Sequence, residues 1–286
     1  MLQLLLPLLT LWSQQDKPLP DPAGFMAEFR KTLHSDDKLL RDYTYIEKET
    51  EITLDSKGQT RKAETNVYQV THAAEDWQTS RRLISKNGVP LTEKELEKED
   101  REEQQRIAKE TRKRANQSEA KRQREKAKTD REESEVIDDI FLLYDYQLVR
   151  REARGNAATI LVVFKPRAAY KPKTSGGKMF QHIAGRLWIA ESDHELVRLE
   201  AEVIDPIKFG AGILAKLQKG STLSFERKKI NNEIWLPVKA EASLSGRLFL
   251  IKGINVREIT EYSEHKKYSV DTILDFREPP PEKGHQ

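Results

Sequence analysis

The chain has 286 residues, 34% of them charged, with 50 Lys and Arg against 47 Asp and Glu. A balance this even argues against a dedicated nucleic-acid binder, whose basic residues gather on one reading surface. Cysteine is absent, which excludes disulfides, thiolate metal sites, a cysteine nucleophile and a lipidated cysteine within this sequence.

Residues 1–15 open on a leucine-rich run, Leu2 to Leu11. It has the length of a signal-peptide core and is too short to span a bilayer. The expectation is an exported, extracytoplasmic and periplasmic protein. Lys17-Pro18-Leu19-Pro20 reads as a linker. Asp21 then has the chemistry of an N-cap, with Pro22 at the first helical position. Phe25, Met26, Phe29 and Leu33 follow at helical spacing, which predicts a short amphipathic helix to about Leu40.

Strands come next. Tyr43 to Thr53 and Gln59 to Thr71 flank the turn residues Asp55-Ser56-Lys57-Gly58, and Trp77 to Ser85 ends at Asn87-Gly88. From Thr92 to Glu135 the character changes: 14 Lys/Arg and 14 Asp/Glu fill 44 residues, with Leu96 and Ile107 as the only large aliphatics. Helix propensity is high and no apolar stripe exists, so this reads as one long, solvated, charged helical insertion. Residues 136 to 144 regain apolar side chains and return the chain to the body.

Beyond them a hairpin is expected at 145–165 around Gly155-Asn156, then a loop at 168–178. Strands follow at 183–190, 195–204, 221–229, 235–245, 247–260 and 266–273. The stretch 207–217 is ambiguous between a short helix and an irregular crossing, and Asn231-Asn232 reads as a turn. Val197, Leu199, Ala201 and Val203 alternate with polar residues, as do Val238, Ala240, Ala242 and Leu244. Such period-two patterning marks antiparallel strands with one buried face. The total is about eleven strands and no βαβ rhythm. The fold class is mainly β (α+β): a curved antiparallel sheet covered by helices. Residues 16–91 and 136–277 make one domain, 92–135 the insertion and 278–286 a proline-rich tail.

The residues offer little chemistry. The six histidines are scattered, with no HExxH or HxH pair, and no GxSxG elbow occurs. Thr174-Ser175-Gly176-Gly177-Lys178 lacks phosphate-loop spacing and reads as flexible loop. Phe225 beside Arg227-Lys228-Lys229 shares the Leu223 face and reads as core rather than as a base-stacking platform. No cofactor, metal, catalytic residue or nucleic acid is called for, and the expectation is a non-enzyme. An unfamiliar hydrolase would need a polar cleft with converging titratable groups.

Two motifs carry a resemblance. Gly185-Arg186-Leu187-Trp188-Ile189-Ala190, a turn, and Leu196-Val197-Arg198-Leu199-Glu200 resemble a hairpin of the LolA/LolB-like outer-membrane lipoprotein-sorting proteins. Ile234-Trp235-Leu236-Pro237 resembles a strand start of the same family. The resemblance covers roughly residues 21–90 and 136–275. It implies an unclosed half-barrel whose concave face accepts lipid or lipoprotein acyl chains, working as a monomeric periplasmic carrier or chaperone. Leu199, Val203, Leu223, Phe225, Val238, Ala240, Ala242 and Leu244 would line the concavity, with Phe25, Met26 and Phe29 as lid. The charged insertion is foreign to the short family members. The alternative is an envelope scaffold or sensor of the same fold, docking a protein partner through that helix without lipid cargo; peripheral membrane contact fits either.

Overall fold

The computed structural model describes residues 17–33, 43–71, 79–209, 214–249 and 252–267. The expected signal segment, the proline-rich tail, Trp77 and most of the 266–273 strand lie outside the described residues.

Helix α1 (Pro22–Thr32) begins as its sequence dictates. The Asp21 carboxylate accepts from the Gly24 amide at 2.7 Å, satisfying a donor that the first turn leaves without a partner. Phe25, Met26 and Phe29 are buried, and each stabilises the helix on the sheet by about 1.5–3 kcal/mol. Strands β1 (Tyr43–Leu54), β2 (Thr60–Thr71), β3 (Ser80–Lys86) and the two-residue β4 (Val89–Pro90) follow. Asn87 and Gly88 both take positive φ, 51° and 79°, the backbone that a two-residue hairpin turn requires.

The charged stretch forms two helices, α2 (Glu93–Ala115) and α3 (Glu119–Leu143), where one was expected. The break has a local cause. Asn116 ends the first helix and Ser118 caps the second, its hydroxyl accepting from the Lys121 amide. Thr92 and Glu95 close a reciprocal capping box at the start of α2. The second helix also runs on through the apolar residues 136–143, burying Asp139 and Leu143.

Strands β5 (Tyr144–Arg154) and β6 (Ala157–Pro166) form the expected hairpin. Between β6 and β7 (Ile183–Ala190) the expected loop holds a short helix, α4 (Ser175–Phe180). Then come β8 (Leu196–Val203), the three-residue β9 (Ile207–Phe209) and β10 (Ala215–Leu217), β11 (Thr222–Ile230), β12 (Ile234–Leu248) and β13 (Lys252–Lys267). The ambiguous 207–217 segment is thus a pair of short strands. Asn231 and Asn232 make the expected turn, with φ of 51° and 57°.

All strands pair antiparallel in one sheet, in the order β4-β3-β2-β1-β13-β12-β11-β8-β7-β6-β5, with β9 and β10 attached beside β12. The sheet does not close: β4 and β5 are its two ends. The chain passes from one end to the other through α2 and α3. At the first end, Arg82 grips Asp100 of α2 through two hydrogen bonds. At the other, α3 flows directly into β5. The architecture is therefore an unclosed half-barrel with helices on its hollow side.

Two clusters flank the β6–β8 part of the sheet, toward its β5 end. On the hollow side, Ile160, Val162, Leu187 and Ile189 pack under the buried residues of α1. On the outer side, Leu161, Trp188, Val197 and Trp235 form a second cluster. Their indole N–H groups donate to carboxylates, Trp188 to Glu152 at 2.7 Å and Trp235 to Asp193 at 3.0 Å. The two motif tryptophans of the sequence thus share one structural cluster.

Candidate functional site: an apolar hollow under three helices

The hollow side of the sheet encloses a cavity of about 500 Å³. Its floor comes from inward residues of consecutive strands: Phe164 of β6, Leu187 of β7, Leu199 and Ala201 of β8, Leu223 of β11, and Ala242 and Leu244 of β12. Cross-strand registry puts them in rows. Leu187 faces Leu199, and Leu223 lies between Ala201 and Ala242. Its roof is helical, from Phe29 of α1, Ile140 and Phe141 of α3, and Met179 and Phe180 of α4. Almost every wall group is apolar, with Glu202, Ser221 and Thr222 at its polar margin. Volume and lining fall within the range of small-molecule sites, roughly 300–1,000 Å³ with mainly hydrophobic walls.

The floor has room for a structural reason. A Cβ at Gly185 would lie 2.1 Å from the Glu200 carbonyl oxygen and 2.8 Å from the Phe164 ring. Only glycine lets the cross-strand neighbour Phe164 lie down on the sheet here. Tyr144 then meets Phe164 edge-on, with ring centroids 4.8 Å apart. The Tyr144 hydroxyl donates to the Phe180 carbonyl at 2.8 Å, tying the strand to the roof helix. Burial raises its pKa well above the ordinary phenol range, so it remains a neutral donor.

The roof is pinned by one carboxylate. Asp139 of α3 is 3% exposed. It accepts from the Tyr170 hydroxyl at 2.7 Å, from the Lys173 and Thr174 amides at 2.9 and 2.8 Å, and from the Thr174 hydroxyl at 2.7 Å. Burial alone would raise its pKa, but the Thr174, Tyr170 and Lys173 donors outweigh burial and hold it at about 2. Thr174 in turn caps α4, its hydroxyl accepting from the Gly177 amide. A Cβ on Gly177 would sit 2.1 Å from an Asp139 oxygen, so this glycine is required by close approach. Arg30 of α1 pairs with Asp138 of α3, joining the other two roof helices.

The rim is greasy. Leu33 (42% exposed), Phe209 (42%) and Leu223 (44%) all border the cavity and all reach solvent. Large apolar side chains gathered at a mouth mark a surface that something apolar covers or crosses.

The sequence expectations fall on both sides of this wall. Leu199, Val203, Leu223, Ala242, Leu244 and Phe29 line the cavity. Phe225, Val238 and Ala240 do not. Val238 occupies a bulge, skipped between Pro237 and Lys239 in the pairing with β11. Phe225 lies half-buried beside the Arg227 guanidinium, 5.6 Å from its ring. Phe25 and Met26 sit in the core next to the roof rather than on the cavity. The α3 and α4 contributors were not foreseen. Ile183 and Leu187, two residues either side of Gly185, carried a readable alternation.

Another hollow of about 570 Å³ lies along the outer face near Arg186, Arg198 and Glu200. Its charged walls satisfy one another: Arg186 and Arg198 both bind Glu200, and Arg198 also binds Glu226 at 2.8 Å. The far half of the sheet carries a similar charged cluster, where Arg81 binds Glu47 and Glu49 and lies 3.6 Å over the Tyr68 ring. Among the described residues no group of three or more His, Cys, Asp or Glu could hold a metal ion.

No family model matches the chain, and no curated protein matches its sequence. Some solved structures align with most of its length. A LolA superfamily protein from Nitrosomonas europaea is 10% identical, covering 90% of this chain and 100% of its own, with a TM-score of 0.30. A DUF1329 family protein from Desulfovibrio piger is 12% identical over 88% of this chain and 95% of its own, with a TM-score of 0.33. A domain from Vibrio parahaemolyticus named for outer membrane lipoprotein sorting is 11% identical over 88% and 94%, with a TM-score of 0.30. Superposition this loose leaves the functional argument to the geometry of the cavity.

Proposed function

We propose that this protein is an extracytoplasmic carrier or chaperone that holds the acyl chains of a lipid or lipoprotein in the hollow of its half-barrel. The observation that carries the reading is the cavity itself: about 500 Å³, apolar on floor and roof, with a mouth edged by exposed Leu33, Phe209 and Leu223. A soluble domain that merely packed its core would fill such a volume, because interiors are close-packed and a void this large forfeits contacts. An acyl chain supplies the missing contacts at about 0.8 kcal/mol per buried methylene. No described helix is long and apolar enough to cross a membrane.

The test is native mass spectrometry of protein purified from its own envelope, with solvent extraction of bound mass, alongside titration with a fluorescent fatty acid. Co-purifying lipid or acylated peptide and saturable probe binding are expected. A clean apo mass together with no probe binding overturns the reading.

A further inference from the structure

At one corner of the sheet β12 runs past the start of β11. Its last residues pair there with β10, Gly246 opposite Leu217 and Leu248 opposite Ala215, and β10 pairs in turn with β9. The approach is close, since a Cβ on Gly246 would lie 2.4 Å from the Lys216 carbonyl oxygen. The Leu214 amide donates to the Phe209 carbonyl at 3.3 Å, and the Phe249 amide to the Leu214 carbonyl at 3.0 Å. These bonds tie the ends of the three strands into one tip. The tip adjoins the cavity, because Ile207, Phe209 and Leu217 belong to the cavity wall.

Two features of the tip are unfavourable on a surface that meets only water. The first is apolar exposure: Phe249 is 65% exposed and Leu214 54%, beside the rim residue Phe209. The second is unbalanced charge. Register places Lys216 directly between Lys208 and Arg247, and like charges facing one another across strands repel. None of the three has an ion-pair partner among the described residues. Residues 207–219 and 244–255 together hold five Lys/Arg and no Asp/Glu. The neighbouring β1–β2 turn brings Asp55 beside Asn255, but its carboxylate accepts from the Lys57 and Gln59 amides of its own turn.

The two features are also spaced. Lys208 adjoins Phe209, Lys216 follows Leu214 by two residues, and Arg247 precedes Phe249 by two. At about 3.3 Å per residue the cations stand roughly 3–7 Å behind the apolar ends. Apolar groups of interfacial proteins enter the headgroup layer to a comparable depth, about 5–10 Å.

We infer that this tip enters an anionic phospholipid surface, with Leu214 and Phe249 beneath the headgroups and Lys208, Lys216 and Arg247 on the phosphates, so that the cavity opens at the membrane. The purpose of docking rests on the acyl-carrier reading; the docking itself does not. A protein partner is disfavoured, since lysine is depleted from protein interfaces and this patch offers two lysines and an arginine with no acid among them. The cations contribute at the strength that clustered Lys and Arg reach near anionic headgroups, so binding weakens with salt.

The experiment is flotation of the full chain with vesicles of phosphatidylcholine alone and of phosphatidylcholine mixed with phosphatidylglycerol. Much tighter binding to the anionic vesicles, reduced by salt, is expected. The variant Lys208→Gln, Lys216→Gln, Arg247→Gln should weaken it at least about tenfold, and Leu214→Ser with Phe249→Ser should weaken it as well. Lys121→Gln with Lys128→Gln, on helix α3, should not. The chain has no cysteine, so Phe249→Cys gives a single attachment point for an environment-sensitive nitrobenzoxadiazole label, whose emission should rise on the anionic vesicles. Circular dichroism verifies the fold of each variant. Fatty-acid probe binding in vesicle-free solution should be unchanged in the triple variant, whose three residues lie off the cavity wall. A parent chain that floats yet binds no probe sinks the carrier reading and leaves the docking inference standing. Equal binding to neutral vesicles, no binding to either, an undiminished triple variant, a label that stays in water, or capture only by an acidic protein or a nucleic acid overturns the inference.

Discussion

Asp139 and Thr174 lie 35 residues apart and are joined twice, the carboxylate accepting from both the hydroxyl and the amide of Thr174. One buried side chain of α3 thereby holds the loop that caps α4, and α4 brings Met179 and Phe180 to the cavity. Asp139→Ala leaves the Tyr170, Lys173 and Thr174 donors without an acceptor, at a cost of about 2–3 kcal/mol. The expected result is a lower urea midpoint and faster amide exchange confined first to residues 170–180. Unchanged exchange there would show that the pin is redundant.

Acid should have a similar effect through the same group. The folded-state pKa of Asp139 is lowered to about 2 from an unfolded value near 3.8. Its contribution is therefore complete above the unfolded value and disappears as pH falls through the folded one. Stability should decline between about pH 4 and pH 2, by up to about 2 kcal/mol from this residue. Asp139→Asn should flatten that part of the pH profile in urea titrations, relative to the parent protein.

Gly185→Ala tests the floor. The added Cβ meets the backbone oxygen of Glu200, which cannot swing aside, and the Phe164 ring, which can. Overpacking of this sort costs about 1–3 kcal/mol. Displacement of Phe164 should also raise the dissociation constant of a fatty-acid probe, measured by fluorescence titration at a temperature where the variant remains folded.

Ala242→Trp tests the cavity without disturbing the sheet. Ala242 lines the wall and pairs with Leu223 and Glu258 on its neighbouring strands. The indole has empty volume to enter, so thermal stability should fall by no more than the roughly 1–3 kcal/mol that added bulk costs in a filled core. Probe binding should fall at least tenfold, equivalent to about 1.4 kcal/mol. Retained affinity would place the probe elsewhere.

The sheet was legible in the sequence because its signals are local. Alternation at 199–203 and the turn pairs Asn87-Gly88 and Asn231-Asn232 each state their own structure, whereas Val197 falls at a bulge and turns to the outer face. Half of the site was legible for the same reason, since Leu199, Val203, Leu223, Ala242 and Leu244 share one face of their strands. The roof was not. Gly176 and Gly177 have poor helix propensity, and their helix exists because a distant Asp139 accepts from Thr174 and because Val136 and Asp139 leave no space for a Cβ at either glycine. The Val238 bulge was hidden as well, since a skipped pairing leaves the alternation of side chains in the sequence intact. The interruption of the charged helix at Asn116-Gln117-Ser118 could have been read: Asn and Ser are capping residues set among strong helix formers.

The pairing of β1 with β13 has a consequence for assembly. Tyr43 faces Lys267 and Thr53 faces Val256, so the first long strand completes its pairing only with the last. Strands β1 to β3 can zip together early, and β5 to β8 can do so independently, each from neighbours in the chain. Joining them requires β11 to β13, which follow both groups in the chain. Until then two partial sheets coexist with unsatisfied inner edges, the state in which sheet proteins are slowest to fold and most prone to join with one another. Maturation therefore waits on residues 252–267, and truncation ahead of them should strand the protein as two unjoined halves.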